Sequence, residues 1–435
     1  MSVARTSGII AFVFYLIFST YGGWAIADGL SFQTTADVGV ALMDDDVFVS
    51  TRLDQQMDIG GFSAVLSAPI RLRVADRPPS DDGVLRKQDW DTPSDFARIV
   101  PKLSFSRELS DGYVELYAGA LNGVTVGTGE LAEQYFNSID MDQYKGGFLA
   151  RGDYRGNGGA VVLDNVVNPA LLFGRVYLAP LTWFIHEEWA KQLEIGYTAG
   201  IDFRAPLRAY ESGTRVLSVM GGEVAWRAVD RDTLEVRPGL MLAAMDGDLG
   251  VHVGLKLRWV AVPDKGIGFS LSGMYRYAGS DYLPSLFNPF YDFNRYHYPV
   301  PGEPEGTTLA DYLSYGAPAA ATHGFSADFS FEWKDRVELG ARYDRTGAER
   351  VHWVMFFLSV SPISGYHLRG FYAGQDLAGG GGLFDGDGVF GLEGRGRVWG
   401  PMDLFVFFSR IRRDIPNRIT TADEAGGGFG VAFTY

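Results

Sequence analysis

The chain has 435 residues, no cysteine, 56 glycines, an aromatic share of 14 % and a formal charge of −15. The missing cysteine excludes a disulfide framework and thiolate metal sites, and the acidic balance excludes a nucleic-acid partner, whose phosphates require a basic surface. Glycine at nearly twice its ordinary share together with abundant rings fits a sheet closed on itself.

In chain order the first element is an export signal. Arg5 precedes an apolar run from Ile9 to Phe18, and the small-residue site Ala25-Ile26-Ala27 stands before Asp28. The order of cation, apolar run and small residues predicts a signal peptide over 1–27, leaving a mature segment over 28–435. The run is shorter than the ~20 residues a spanning helix needs. Downstream, Arg, Asp or Glu interrupts nearly every apolar stretch, so helical spans are not expected.

The region from Gln33 to Leu163 is read as seven strands, and that from Leu171 to Tyr435 as thirteen. In Gln192–Arg204 one face reads Leu193, Ile195, Tyr197, Ala199, Ile201 and Phe203, and the other Glu194, Gly196, Thr198, Gly200, Asp202 and Arg204. Period two with one apolar and one polar face predicts strands between lipid and water. The same split recurs over Val251–Trp259 and Val337–Asp344.

Connections alternate between tight and long, as required if every second turn lies on one side of a membrane. Leu109–Gly112, Arg155–Gly158, Val262–Gly266, Lys334–Asp335 and Trp399–Pro401 read as tight. Asp76–Asp95, Asn122–Tyr144, Gly279–Thr322, Gln375–Gly388 and Arg413–Ala425 read as long loops. Two connections break the alternation: Met245–Leu249 is short on the long-loop side, and Trp183–Lys191 is long and aromatic on the tight side. With this parity Trp183, Trp226, Trp259, Trp333 and Trp399 fall at the lower strand ends, as an interfacial girdle of amphipathic indoles would.

The final strand alternates Phe429, Val431, Phe433 and Tyr435 after Gly428. With the signal peptide and strand pattern, this ending resembles Gram-negative outer-membrane β-barrel proteins, porin-like, as a class. The resemblance implies that Gly428, Val431, Phe433 and Tyr435 form the signal read by the barrel-assembly machinery; Tyr435 departs from the usual terminal Phe. The expected fold is one closed, antiparallel, all-β transmembrane barrel of about 18–20 strands (range ~16–20) with both termini periplasmic, in the outer membrane, against lipid and lipopolysaccharide. No plug-sized segment is expected before the strands.

The inward face is expected to carry both signs. Candidate lumen residues are Glu194, Asp202, Arg204, Glu235, Arg237, Lys256, Arg258, Arg276, Asp328, Arg342 and Arg395. Hairpin geometry pairs Glu235 with Arg258 and Asp328 with Arg342, giving structural ladders worth ~0.2–1 kcal/mol each or a selectivity filter. The loop Gly279–Thr322 is rich in rings, from Tyr282 through Phe287, Phe290, Tyr291 and Phe293 to Tyr296 and Tyr298. It either folds into the barrel as a constriction or packs outside as a contact or glycan-binding surface.

Asp-x-Asp pairs recur at Asp44 and Asp46, Asp89 and Asp91, Asp140 and Asp142, Asp246 and Asp248, and Asp385 and Asp387. They suit either turn chemistry or weak Ca²⁺ binding, foremost at Asp246, Asp248, Asp385 and Asp387; no other cofactor is expected. No zinc-protease or nucleophile-elbow motif occurs, leaving His252, His297, His323, His352 and His367 as the only candidate bases.

Three functions fit. The first is a channel passing small polar solutes, passively or with weak selectivity. The second is a barrel anchoring an envelope protein complex, with Trp183–Trp189 as a docking segment for a protein partner. The third is a surface hydrolase.

Overall fold

A computed structural model describes residues 30–43, 46–76, 83–138, 144–185, 187–207, 213–298, 307–316, 321–334, 336–346, 351–375, 388–415 and 418–434. The predicted signal peptide, Tyr435, Asp385 and Asp387 lie outside the described residues.

The first wall strands are β1 (Leu30–Met43), β2 (Asp46–Ile59), β3 (Phe62–Ala75), β4 (Lys102–Leu109) and β5 (Gly112–Gly119). A separate hairpin follows, of β6 (Val124–Val126) and β7 (Ala132–Tyr135). The wall continues with β8 (Gly147–Tyr154), β9 (Asn157–Leu163), β10 (Leu171–Leu178), β11 (Leu193–Pro206) and β12 (Thr214–Trp226), whose continuation β13 (Val229–Arg231) pairs with the same neighbour, β14 (Leu234–Met245). Then come β15 (Asp248–Val262), β16 (Ile267–Ala278), β17 (Thr322–Trp333), β18 (Val337–Thr346) and β19 (Val351–Val360). The last four are β20 (Tyr366–Gln375), β21 (Val389–Trp399), β22 (Met402–Ile415) and β23 (Arg418–Thr434).

Each wall strand pairs antiparallel with its sequence neighbours, and β23 returns to β1 in a register running from Gln33 opposite Thr434 to Met43 opposite Glu424. The result is a closed antiparallel barrel of 20 strands. Closure satisfies every ladder without leaving an edge, the condition for a sheet in hydrocarbon. No helix among the described residues is long and apolar enough to cross a membrane.

The alternation in the sequence becomes the two faces of the wall. Val38, Val40 and Leu42 of β1 and Ile195, Tyr197 and Phe203 of β11 point outward and are exposed, while Asp37, Glu194 and Asp202 point inward. At ~3.4 Å per residue and a tilt near 40°, the 14 residues of β1 rise about 34 Å, more than the ~25 Å apolar band of such barrels. Strands β4, β5 and β8 to β10 have only 7 or 8 residues, so the wall is lowest in this sector. The connection between β5 and β8, carrying the β6–β7 hairpin, turns into the barrel over this low wall.

Turn parity follows the predicted alternation with two corrections. Arg413–Ala425 is not a long loop: β22 runs to Ile415 and β23 starts at Arg418, because Arg412 to Ile415 stay paired with Thr421 back to Arg418. The β1–β2 connection is likewise tight on the long-loop side, with Met43 opposite Asp46.

Candidate functional site

The chain's own connections fold back into the lumen. The largest buried apolar cluster lies inside the barrel, not between layers. It joins Tyr135 and Leu131 of the β6–β7 connection and Tyr282, Phe287 and Tyr291 of the β16–β17 connection to Phe173, Leu217 and Met241 on the inner wall. The ring-rich segment Gly279–Tyr298 therefore lies inside the barrel, and the external, glycan-binding alternative is corrected: Tyr282, Phe287, Phe290, Tyr291 and Phe293 are buried. Apolar rings go inward because the wall offers space at glycines. A Cβ at Gly200 would collide with the Phe287 ring, and one at Gly250 with that of Tyr282.

The two connections also pair with each other. Ala132 forms a parallel bridge with Phe287. The Glu133 and Phe287 amides donate to Phe287 and Leu131 carbonyls at 3.0 Å each, and the Ser285 amide donates to Glu130 at 2.7 Å. These bonds satisfy backbone groups that burial would otherwise leave unpaired.

A buried ion cluster fixes this tangle to β15–β18. Arg276 is fully buried; it donates to Asp344 at 2.5 Å and to Ser285 at 2.9 Å, and lies 3.6 Å from Glu130 and 3.5 Å from Glu133. Arg342 pairs with Glu133 and Asp328. His252 sits between Glu130 at 2.8 Å and the Tyr282 hydroxyl at 2.7 Å. Burial pushes the Glu133 carboxyl up to about 8, against the pull of Arg342 and Arg276. A second cluster holds the other side: Arg175 pairs with Glu194 and Glu223, Arg237 lies 2.9 Å from Glu194, and Arg295 lies 2.7 Å from Asp202, which also accepts from the Tyr291 hydroxyl at 2.6 Å.

Free volume is left in three places. A cavity of about 760 Å³ opens at the long-loop rim, lined among others by Lys145, Arg204, Asp292 and Tyr144. A second, of about 360 Å³, is bounded by Tyr144, Asp37, Arg71 and Arg395. A third, of about 710 Å³, opens at the tight-turn rim and is bounded by Arg395, Arg336, His367 and Asp403. Tyr144 borders the first two and Arg395 the last two.

The candidate lumen residues separate into three groups. Glu194, Arg237, Asp202, Arg276, Asp328 and Arg342 belong to the ion clusters, and Asp328 pairs with Arg342 across the hairpin as the register requires. Arg204 and Arg395 border free cavities; Arg395 lies 2.9 Å from Asp37. Glu235 stands directly opposite Arg258, and Arg237 opposite Lys256, farther toward the tight turns. Sequence reading missed Glu130, Glu133 and Arg295, which sit on connections where no periodicity marks orientation. It also missed Arg175, for which the alternation of Phe173, Arg175 and Tyr177 was an available signal.

At the tight-turn rim, Trp226 stands opposite Leu193, Trp259 opposite Leu234, Trp333 opposite Val337 and Trp399 opposite Met402. Trp183 ends the short 3-10 turn Pro180–Trp183 at the same rim. Trp183, Trp226, Trp259 and Trp399 are exposed and Trp333 is half-buried. Of the C-terminal residues, Gly428 lies opposite Phe405 and Val431 opposite Met402, while Phe433 is exposed opposite Thr34.

Among the described aspartates of these pairs several already have protein partners, while Asp44, Asp140 and Asp142 lie outside the described residues. Asp246 lies 2.9 Å from Arg215, and Asp248 accepts from Ser280 at 2.6 Å and from the Asp281 amide at 2.7 Å. Asp89 is held by Arg71, Arg86 and Arg98. Among the described residues no three His, Asp or Glu side chains are grouped to hold a metal ion. Of the histidines, His323 points outward beside Tyr275, and His367 Nδ1 lies 2.7 Å from Ser361 Oγ with its Nε2 buried and unbonded. A serine triad needs a carboxylate on the second ring nitrogen, and among the described residues none bonds His367 Nε2.

No protein-family model matches the chain, and no curated protein matches it. Among solved structures it is similar to OccAB3 of Acinetobacter baumannii, at 11 % identity and a TM-score of 0.36 over 94 % of this chain and 100 % of that one. It is similar to OccD3 (OpdP) of Pseudomonas aeruginosa at 11 % and 0.32, over 95 % and 93 %. A mutant of the Rh. blastica porin gives 10 % and 0.27, over 93 % and 100 %. At such values these likenesses assign neither family nor substrate, and the functional argument rests on the lumen itself.

Proposed function

We propose that this chain is an outer-membrane channel for small polar solutes, with both termini periplasmic. The observation that carries the reading is three cavities, one at the long-loop rim, one in the middle and one at the tight-turn rim, with Tyr144 lining the first two and Arg395 the last two. The exposed apolar outer face supports membrane insertion, since such area in water would be costly at ~25 cal/mol per Å². The tryptophans at one rim support a lipid-facing girdle, and the terminal strand supports recognition by the assembly machinery. Lipopolysaccharide is the proposed contact of the opposite rim. Any divalent cation at Asp246 and Asp248 would have to displace Arg215, Ser280 and the Asp281 amide.

Purified barrel reconstituted in planar bilayers is expected to give discrete ohmic current steps. Absence of steps, both from the intact chain and after shortening of the Gly279–Thr322 connection, defeats the channel reading.

One observation favours a second reading, a barrel that anchors a protein partner. The connection from β10 to β11 exposes Trp183, Trp189 and above all Phe184, which is 81 % exposed, on the side where turns are otherwise tight. Exposed rings of this kind suit a docking surface. Affinity capture with the intact chain and with a Trp183→Ser, Phe184→Ser, Trp189→Ser variant tests it: equal recovery of proteins by both removes the reading.

A further inference from the structure

The middle chamber contains a feature that passage of polar solutes does not require. On β22, Phe405 and Phe407 both point inward, their ring centroids 6.4 Å apart and their planes within 17° of parallel, and both line the chamber of about 360 Å³. They form a plate against the wall because their neighbours on β23 are glycines: Phe405 stands opposite Gly428 and Phe407 opposite Gly426. A Cβ on Gly426 would come within 2.7 Å of the Phe407 ring, and one on Gly39 within 3.2 Å of the Phe405 ring. Glycine at these positions lets the rings lie over the strands, with the Arg395 guanidinium carbon 5.2 Å from the Phe405 ring centroid.

The rest of the chamber is charged but balanced. Arg395 and Asp37 are paired, and Arg71 bridges Asp89 at 3.0 Å and Glu424 at 3.2 Å. Arg98 reaches the same Asp89 at 3.4 Å, while Arg52 and Glu393 complete the charged lining. The four arginines and four carboxylates cancel, so the chamber carries no net formal charge to attract an ion of either sign. It offers many hydrogen-bond donors and acceptors around an apolar plate.

From this juxtaposition we infer that the middle chamber binds neutral sugar rings. A pyranose has a flat face of C–H groups that covers an aromatic plate, and an edge of hydroxyls that can each donate to a carboxylate and accept from a guanidinium. Covering the rings removes apolar surface from water, while the hydroxyl edge replaces the water on the charged groups. The volume is at the lower end for ligand pockets, ~300–1,000 Å³, which suits a mono- or disaccharide. The inference rests on the channel reading for how sugar enters the chamber.

The test uses the intact barrel in a detergent without a sugar headgroup, with maltose, the acyclic polyol sorbitol and sodium glutamate as probes. Titration calorimetry is expected to register maltose binding, with sorbitol and glutamate each weaker by about tenfold, and maltose is expected to reduce bilayer current. A Phe405→Ala, Phe407→Ala variant is expected to lose about tenfold in maltose affinity, and the Phe405→Leu, Phe407→Leu pair, which keeps volume but not the plate, to lose affinity in the same direction. Absence of maltose binding, unchanged affinity in the leucine variant, or tighter binding of glutamate than of maltose overturns the inference. A barrel that conducts and ignores maltose defeats this inference alone, whereas one that binds maltose without carrying current defeats only the channel reading.

Discussion

Replacing Phe287 by alanine removes the side chain that seats the β16–β17 connection in the lumen. The ring is fully buried, stacks on Phe173 with centroids 5.6 Å apart, meets Tyr291 edge-on at 4.8 Å and fills the space over Gly200. Truncating a phenylalanine in such surroundings costs about 3–5 kcal/mol. The loss falls on docking, because the surrounding wall is held by its own closed ladder whether or not the connection is seated. At ~1.4 kcal/mol per tenfold, the ratio of seated to released loop should fall by roughly two to three and a half orders of magnitude. Single-channel recording is expected to show larger conductance or frequent transitions to a larger state, and hydrogen exchange to show lost protection at the Phe287 and Glu133 amides, which bond between the two connections. A variant with unchanged conductance and unchanged protection at these amides would refute the reasoning, since it would mean that ring packing does not hold the connection inside.

Three further outcomes follow from the same geometry. Glu133 keeps its proton up to about 8 in the folded barrel but releases it near the ordinary 4.5 when exposed. The seated state therefore binds more protons between those values, and its stability is greatest below about pH 4.5 and declines as pH rises toward 8, by up to ~1.4 kcal/mol per pH unit. Thermal unfolding from pH 4.5 to 8 should show the decline, and Glu133→Gln should flatten it; an undiminished slope in the variant rejects this assignment. Arg276→Met strips a cation from Asp344 and leaves Glu130 with less compensation. Its expected cost is about 3–5 kcal/mol, read as a lowered heat-modification temperature on gels, and no change there contradicts the network. Arg395→Ala removes the side chain shared by the middle and lower cavities and leaves Asp37 without that partner. Reversal potentials in a salt gradient should move toward cation selectivity, and a move toward anions counts against a passage at Arg395.

Much of the architecture was legible because it depends on local alternation. In a strand, every second residue faces the same way, so Glu194, Asp202, Asp328 and Arg342 could be assigned inward from their apolar neighbours alone, and the wall strands before Leu163 and after Leu171 follow the same rule. The tip of the last hairpin was not legible: Arg413–Ala425 is polar enough to read as a loop, yet cross-strand pairing from Ile415 opposite Arg418 downward keeps it extended. Nor did the tight β1–β2 connection follow from the parity of loop lengths.

Sequence alone determined the closed wall, its two faces, its even strand parity and the rim on which the tryptophans fall. All of these follow from period-two patterning and turn chemistry within a few residues. What occupies the interior was decided only by tertiary structure. Glu130 and Glu133 meet Arg276 and Arg342, Phe287 meets Gly200, and Phe405 and Phe407 lie over the glycines of β23 only once distant segments converge in the lumen. The physical reason is that inward residues of a closed barrel have no partner in their own hairpin for the space at its centre. That space is filled by whichever connections can bury rings and balance charge there.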